Sequence, residues 1–327
     1  MQKRILTTLL ALTVAMVIGS TTAFAAGPIV LKYGHIWPSE TRMNKAVLLA
    51  AQEIEKNSNG RLKLQVYPGS QLGDQFSEMD NVKTGAQDMT MVYGIDRYCP
   101  SFTLFNTPFV FADEKHQYKV AMQSELSEKM VKSYMIEKHN IRLINMLYHG
   151  PRMLTTNAAR PVKKPGDVKG LKLRTPDITA WIKSWQSIGA NVTAFPWDEL
   201  YLALMQGIVE AQENPLSSIR DMKFYEVQKN IVLTRHIIDY PFVMINEKKY
   251  QSLGKELQEV LGKAFEDARQ FSLTEGKKEE QANLEFFKQK GLNIVEINKA
   301  EWLQAFSKTP ELFENGREIY NKIQSVK

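Results

Sequence analysis

Two arginines and one polar run are the groups in this 327-residue sequence best suited to holding a small molecule. Arg174 closes the stretch Leu171-Lys-Leu-Arg-Thr-Pro176, and Arg152 opens the stretch Arg152-Met-Leu-Thr-Thr-Asn157. Strand alternation would put Leu171 and Leu173 on one face and Lys172 and Arg174 on the other. Pro176 ends such a strand, so Arg174 falls at its carboxyl end, where open α/β sheets present a ligand crevice. A guanidinium is a planar fork of donors that matches a carboxylate with two parallel bonds, a geometry lysine lacks. A surface salt bridge is the competing use of either arginine. The polar run is Gln212-Glu-Asn-Pro215. Asn214 can donate and accept toward a carboxylate or hydroxyl. It is equally suited to cap a short helix whose first residue is Pro215.

Catalytic chemistry has little support. The chain lacks G-x-S-x-G, H-E-x-x-H, a P-loop and G-x-G-x-x-G. Its five histidines, at 35, 116, 139, 149 and 236, form no i, i+4 pair. With a single cysteine, no metal site and no cofactor are expected. A hydrolase whose triad assembles only in space stays open, because such groups need not be sequence neighbours. Glu279-Glu280 reads as a solvated helix face. Cys99 can form no intrachain disulfide, and its neighbours Tyr98, Pro100 and Phe102 predict a packed thiol.

The elements that would position these groups follow from periodicity. Met43, Ala46, Val47, Ala50 and Ile54 recur at helical spacing, and Asn59-Gly60 stops that helix. Leu62, Leu64 and Val66 alternate as a strand, Gln75 to Lys83 read as a helix, and Met89 to Tyr93 as a buried strand. Helix-rich sequence from Asp113 to Lys138 leads to a strand over Ile141 to Leu147, and Gly150-Pro151 breaks the pattern. A second β/α unit follows. Its strands are Arg152 to Thr156, Leu171 to Arg174, Asn191 to Ala194 and Val209 to Gln212; its helices are Ile178 to Ile188 and Trp197 to Gln206. A long helical region over Glu247 to about Lys290 has one weak point, near Gly276. The expected fold class is therefore α/β, in two domains with a cleft and a hinge between them. The expected division is 26–149 plus 238–277 for one domain and 150–237 plus 278–327 for the other.

Residues 1–25 read as an export leader. Lys3 and Arg4 precede an uncharged apolar run, and Ala23-Phe-Ala25 offers a small-x-small cleavage site. The apolar run is shorter than the roughly 20 residues a spanning helix needs. Net charge falls from +6 to +4 once Lys3 and Arg4 leave. The remaining basic residues are dispersed among acidic ones, which argues against nucleic acid. A soluble, monomeric periplasmic protein is expected.

The run from Gly150 to Gln228 resembles the extracytoplasmic solute receptors of tripartite ATP-independent periplasmic (TRAP) transporters, the DctP family. Matching segments are Arg152 to Asn157, Asp167-Val-Lys-Gly-Leu-Lys-Leu-Arg-Thr-Pro176, Trp197 to Gln206, Gln212 to Pro215 and Lys223-Phe-Tyr-Glu-Val-Gln228. Upstream, Tyr67 to Gly73 and Thr107-Pro-Phe109 also fit, so the resemblance covers essentially the mature chain. It implies two α/β domains, a hinge, and a long helix across both. It implies capture of a small organic carboxylate without chemistry, and delivery to a TRAP membrane permease. A receptor that presents its ligand to a sensor kinase is the alternative among binding proteins. By resemblance, Arg174 pairs with the ligand carboxylate, Arg152 assists, and Asn214 contacts the same group.

Departures from the sialic-acid receptors bear on the ligand. Asp177 stands where they have asparagine, Tyr93 about where they have glutamate, and Trp197 where they have phenylalanine. These argue for a sugar acid, hydroxy acid or aromatic acid other than sialic acid. His35, Trp37, Asp74 and Tyr240 are further candidates to face the cleft, with core packing or capping as the competing role.

Overall fold

The computed structural model describes residues 27–157 and 159–327. The expected leader, residues 1–25, lies outside the described residues. Among those described, no helix is long and apolar enough to cross a membrane.

Among the described residues, twelve strands form two sheets. They are β1 (Ile29–His35), β2 (Leu62–Tyr67), β3 (Met89–Val92), β4 (Ile141–Met146), β5 (Gly150–Thr156), β6 (Lys172–Thr175), β7 (Asn191–Ala194), β8 (Ala211–Pro215), β9 (Asn230–Val232), β10 (Ile238–Asp239), β11 (Phe242–Asn246) and β12 (Asn293–Val295). The first sheet has the order β2-β1-β3-β11-β4, and the second β12-β9-β5-β8-β6-β7 with β10 on β5. In the first sheet β1, β2 and β3 run parallel and β11 runs antiparallel to both its neighbours.

Each sheet is buried on both faces, as α/β layering requires. Phe242 and Met244 of β11 enter one core while Val243 and Ile245 enter the core on the opposite face. In the second sheet Met153 and Leu154 divide the same way. The helix Arg42–Asn57 shows how local sequence supplies a wall of the first lobe. Thr41 accepts from the Asn44 backbone N–H at 3.3 Å and caps the start. Met43, Ala46, Val47, Ala50 and Ile54 form its buried face. Asn59 and Gly60 then take φ of 52° and 74°, the left-handed region that ends a helix.

The chain passes between lobes at Leu147–His149 and again at Tyr240–Pro241. These two crossings are bonded to each other: Leu147 donates to the Pro241 carbonyl at 3.0 Å and His149 to that of Asp239 at 2.9 Å. The helix Gly254–Gln289 is a third link. Leu257, Leu261 and Phe265 pack in the first lobe, whereas Phe287 packs in the second. Gly276 does not weaken this helix, contrary to expectation. A Cβ there would lie 2.7 Å from Tyr148, so glycine lets the helix sit tightly against the crossing. The break falls instead at Gly254, with φ of 73°, after the separate helix Glu247–Ser252. Arg42 binds the crossing to the helix. Its guanidinium donates to the carbonyls of Tyr148 (2.7 Å), His149 (2.9 Å) and Ser272 (3.0 Å) and pairs with Glu279 at 2.8 Å.

Two boundaries depart from the expected division. β10 pairs with β5 of the second sheet rather than joining the first lobe. The final helix, Gly316–Ser325, returns to the first lobe, where Ile319 and Ile323 pack with Val120 and Val131. The passage from Asp113 to Lys138 is not one helix, because Ser124 caps a new start and two π-helical turns, Lys119–Gln123 and Glu128–Lys132, interrupt it.

Candidate ligand-binding site

A cavity of about 390 Å³ opens between the lobes. Its first-lobe wall carries Trp37, Asp74, Phe76 and Tyr93; the second lobe contributes Arg152, Arg174, Asp177, Phe195, Trp197, Asp198, Asn214 and Ser218; His149 sits at the crossing. Thus Arg174, Arg152, Asn214, Trp197, Asp177, Tyr93 and Asp74 are brought together, as is Trp37.

Arg174 sits next to last in β6, 2% exposed. Its Nε and Nη2 donate to the Phe195 carbonyl at 3.2 and 2.6 Å, and its Nη1 has no hydrogen-bond partner. Phe195 and Trp197 flank the guanidinium, with ring centroids 5.5 and 6.0 Å from Cζ. Among the described residues, no carboxylate pairs with it. Burial drives the group down to about 9, against the fields of Glu213, Asp198 and Glu199. That fall expresses the cost of desolvating a cation without a counter-anion. An incoming carboxylate would relieve it.

Arg152 is a different kind of arginine. Its Nε reaches Glu213 at 2.5 Å, Nη1 reaches Asp239 at 2.5 Å, and Nη2 donates to the Glu213 carbonyl at 2.5 Å and to Asn214 at 3.1 Å. Trp181 lies under it at 4.2 Å. Burial is the largest influence and would raise the Glu213 and Asp239 carboxyls, but Arg152 together with His236 at Glu213 and His149 at Asp239 holds both below their ordinary range. His236 adds a 3.1 Å contact to Glu213. Arg152 therefore has two anions of its own, and it anchors the cavity floor.

Asn214 does not cap a helix. It lies inside β8, donates to Gln212 Oε1 at 2.5 Å and accepts from Arg152, while the helix after Pro215 has no side-chain cap. Asp74 has two roles. It caps the helix Gln75–Thr84 by accepting from Phe76 and Ser77 N–H at 2.7 and 3.0 Å, and it lines the cavity rim.

His149, Tyr93 and Trp37 form an aromatic wall. The Trp37 ring meets Tyr93 edge-on at 5.4 Å and His149 at 5.8 Å. Tyr93 Oη bonds His149 Nδ1, and His149 Nε2 meets Ser218 Oγ at 3.1 Å. Burial lowers the His149 pKa, which favours neutral imidazole. Both lobes and the crossing thus share one polar chain. The sequence reading missed His149, Phe195, Asp198 and Ser218. His149 directly precedes the Gly150-Pro151 break, which was the available signal.

His35 and Tyr240 do not line this cavity. His35 is fully buried behind the wall, bonded through Nε2 to Asn44 at 3.1 Å and pushed down to about 4 by burial. Its ring packs against those of Tyr33 and Trp37, each 6.0 Å away. Tyr240 packs in the first-lobe core, edge-on to Tyr148 at 5.2 Å. Cys99 is buried as expected, its thiol raised to about 11.

Two α/β lobes, two bonded crossings and a cleft lined by Arg174, a buried cation unpaired among the described residues, define the two-lobed class of ligand receptor. Within it, residues 33–316 match the family model of bacterial extracellular solute-binding protein, family 7 (DctP), and the chain belongs to that family. It is 31% identical over 320 residues to the sialic acid-binding periplasmic protein SiaP of Vibrio cholerae, covering 96% of this chain and 98% of SiaP. The TRAP periplasmic solute binding protein of Roseobacter denitrificans, solved with bound L-galactonate, superposes with a TM-score of 0.84 at 26% identity, over 91% of this chain and 99% of that one. A Bradyrhizobium TRAP protein in complex with D-galacturonate gives 0.83 at 27% identity, over 90% and 99%.

Proposed function

We propose that this protein captures a small organic carboxylate in the periplasm, with Arg174 as the anion-binding fork, and hands it to a TRAP-type permease without altering it. One observation carries the reading. Arg174 is buried, faces the cavity, and has an unpartnered Nη1 with no protein carboxylate against it. The acids bound by the Roseobacter and Bradyrhizobium relatives support it. Asn214 and the aromatic residues Trp197 and Tyr93 then orient the remainder of the ligand.

Magnitudes show what else is required. A hydrogen bond to a charged group contributes roughly 1.5–3 kcal/mol net, and micromolar affinity needs about 8 kcal/mol. Closure of both lobes on the ligand supplies the difference.

A thermal-shift screen of organic acids tests the reading, because a ligand that binds only the native state raises its melting temperature. Each acid that stabilises the protein is then compared with its amide by calorimetry. Loss of binding in the amide is expected. Equal affinity for acid and amide would remove Arg174 from its role, and turnover of the acid would replace capture by catalysis.

A further inference from the structure

The charges around the cavity restrict the ligand further, given the carboxylate reading above. Among the described lining residues only Arg152 and Arg174 carry a guanidinium. Arg152 is held by Glu213 and Asp239, each at 2.5 Å. Both carboxylates engage Arg152, so Arg174 is the lining guanidinium left with an unsatisfied donor edge among the described residues. That edge, Nη1 of Arg174, is a buried donor without a partner among the described residues, and it is the donor an anionic group would engage.

The mouth of the cavity is acidic. Asp177 follows β6 by two residues, and Asp198 lies in the loop after β7. Both line the cavity, both are exposed, and neither pairs with a cation among the described residues. Asp74 faces them from the first lobe. Its charge is tempered by Arg97, which lies over the Phe76 ring at 4.8 Å and outside the lining. Closure would draw Asp74 toward the other two and remove water from between them. A second carboxylate on the ligand would enter that field with no free cation to meet it. A hydroxyl or ammonium would instead find acceptor-only oxygens.

We infer that the native ligand carries a single carboxylate, seated on Arg174, and that Asp177 and Asp198 exclude diacids by meeting the ligand's far end. Like charges brought together in a desolvated cleft discriminate strongly, whereas neutral donors are accepted there.

The test uses pairs of equal carbon skeleton in which a terminal hydroxymethyl is replaced by a second carboxylate: D-erythronate and meso-tartrate, L-galactonate and galactarate, 4-(hydroxymethyl)benzoate and terephthalate. Affinities are measured by calorimetry at neutral pH and fixed ionic strength, for the wild type and for the Asp177→Asn/Asp198→Asn double variant. In every pair that binds, the monoacid should be favoured by about tenfold or more. The double variant should shrink that ratio to within about threefold, since the repulsive element is gone. A diacid bound as tightly as its partner overturns this inference and leaves the carboxylate reading standing. A ratio unmoved in the double variant overturns it also. If none of the six acids binds, the pairs are built on the acids that the thermal-shift screen finds; if no acid stabilises the protein there, the carboxylate reading falls and this inference falls with it.

Discussion

Arg152 and Arg174 are both buried and both face one cavity, yet their surroundings predict opposite consequences of removal. Arg174→Ala takes away an uncompensated cation. Binding of a stabilising acid should vanish in calorimetry, while the melting temperature of the ligand-free protein stays the same or rises. Arg152→Ala leaves Glu213 and Asp239 buried without their counter-ion. Breaking such a pair costs roughly 3–5 kcal/mol, so denaturant unfolding should show a large loss. Equal effects of the two substitutions on stability would contradict the division of roles drawn here. This contrast was only half legible in the sequence. The fork chemistry and the strand-end position of Arg174 could be read from Leu171 to Pro176. The carboxylates that hold Arg152 could not, because Asp239 lies 87 residues away and only the β5–β10 pairing brings it close.

At the scale of elements, periodicity recovered most strands and helices because their apolar positions recur. It failed where burial is polar. The expected strand stops at Gln212, yet β8 runs on through Glu213 and Asn214 to Pro215 and buries all three polar residues, since Arg152 and Thr155 supply partners. The same blindness hid Glu78, on the buried face of the helix Gln75–Thr84. Its Oε2 accepts from Thr90 at 2.7 Å while Oε1 has no partner. Burial raises this carboxyl from 4.5 to about 7. The protonated form is therefore favoured in the folded state. Its stabilising contribution is complete below about 4.5 and is lost as pH rises through about 7. The full loss is roughly 3 kcal/mol at one unit per 1.36 kcal/mol. Glu78→Gln should be more stable than wild type at pH 8, with the gap closing by pH 5, in paired thermal or urea unfolding. A constant gap across that range would show that Glu78 does not titrate there.

For the whole molecule, the two-lobed α/β plan was legible, and its seams were not. The expected division returned 238–277 to the first lobe but kept the last helix in the second, whereas tertiary packing sends that helix back to the first lobe. That helix offers a test of coupling. Ile323 is fully buried beside Val120 and Val131. Ile323→Ala should cost roughly 2–5 kcal/mol, and hydrogen exchange should show the loss in β3 and β11 rather than in β6 or β8. Protection lost equally in both sheets would mean that the lobes unfold as one unit.

The return of Gly316–Ser325 has a further consequence in time. A polypeptide delivered N-terminus first has nearly all of one hydrophobic half available early, but the piece that closes it arrives among the last residues. β11 likewise arrives only after β5 to β10 have passed, and the second lobe in turn waits for β12. Neither half can shut on its own, so a partly delivered chain stays loose and threadable, and compaction waits until delivery is almost over.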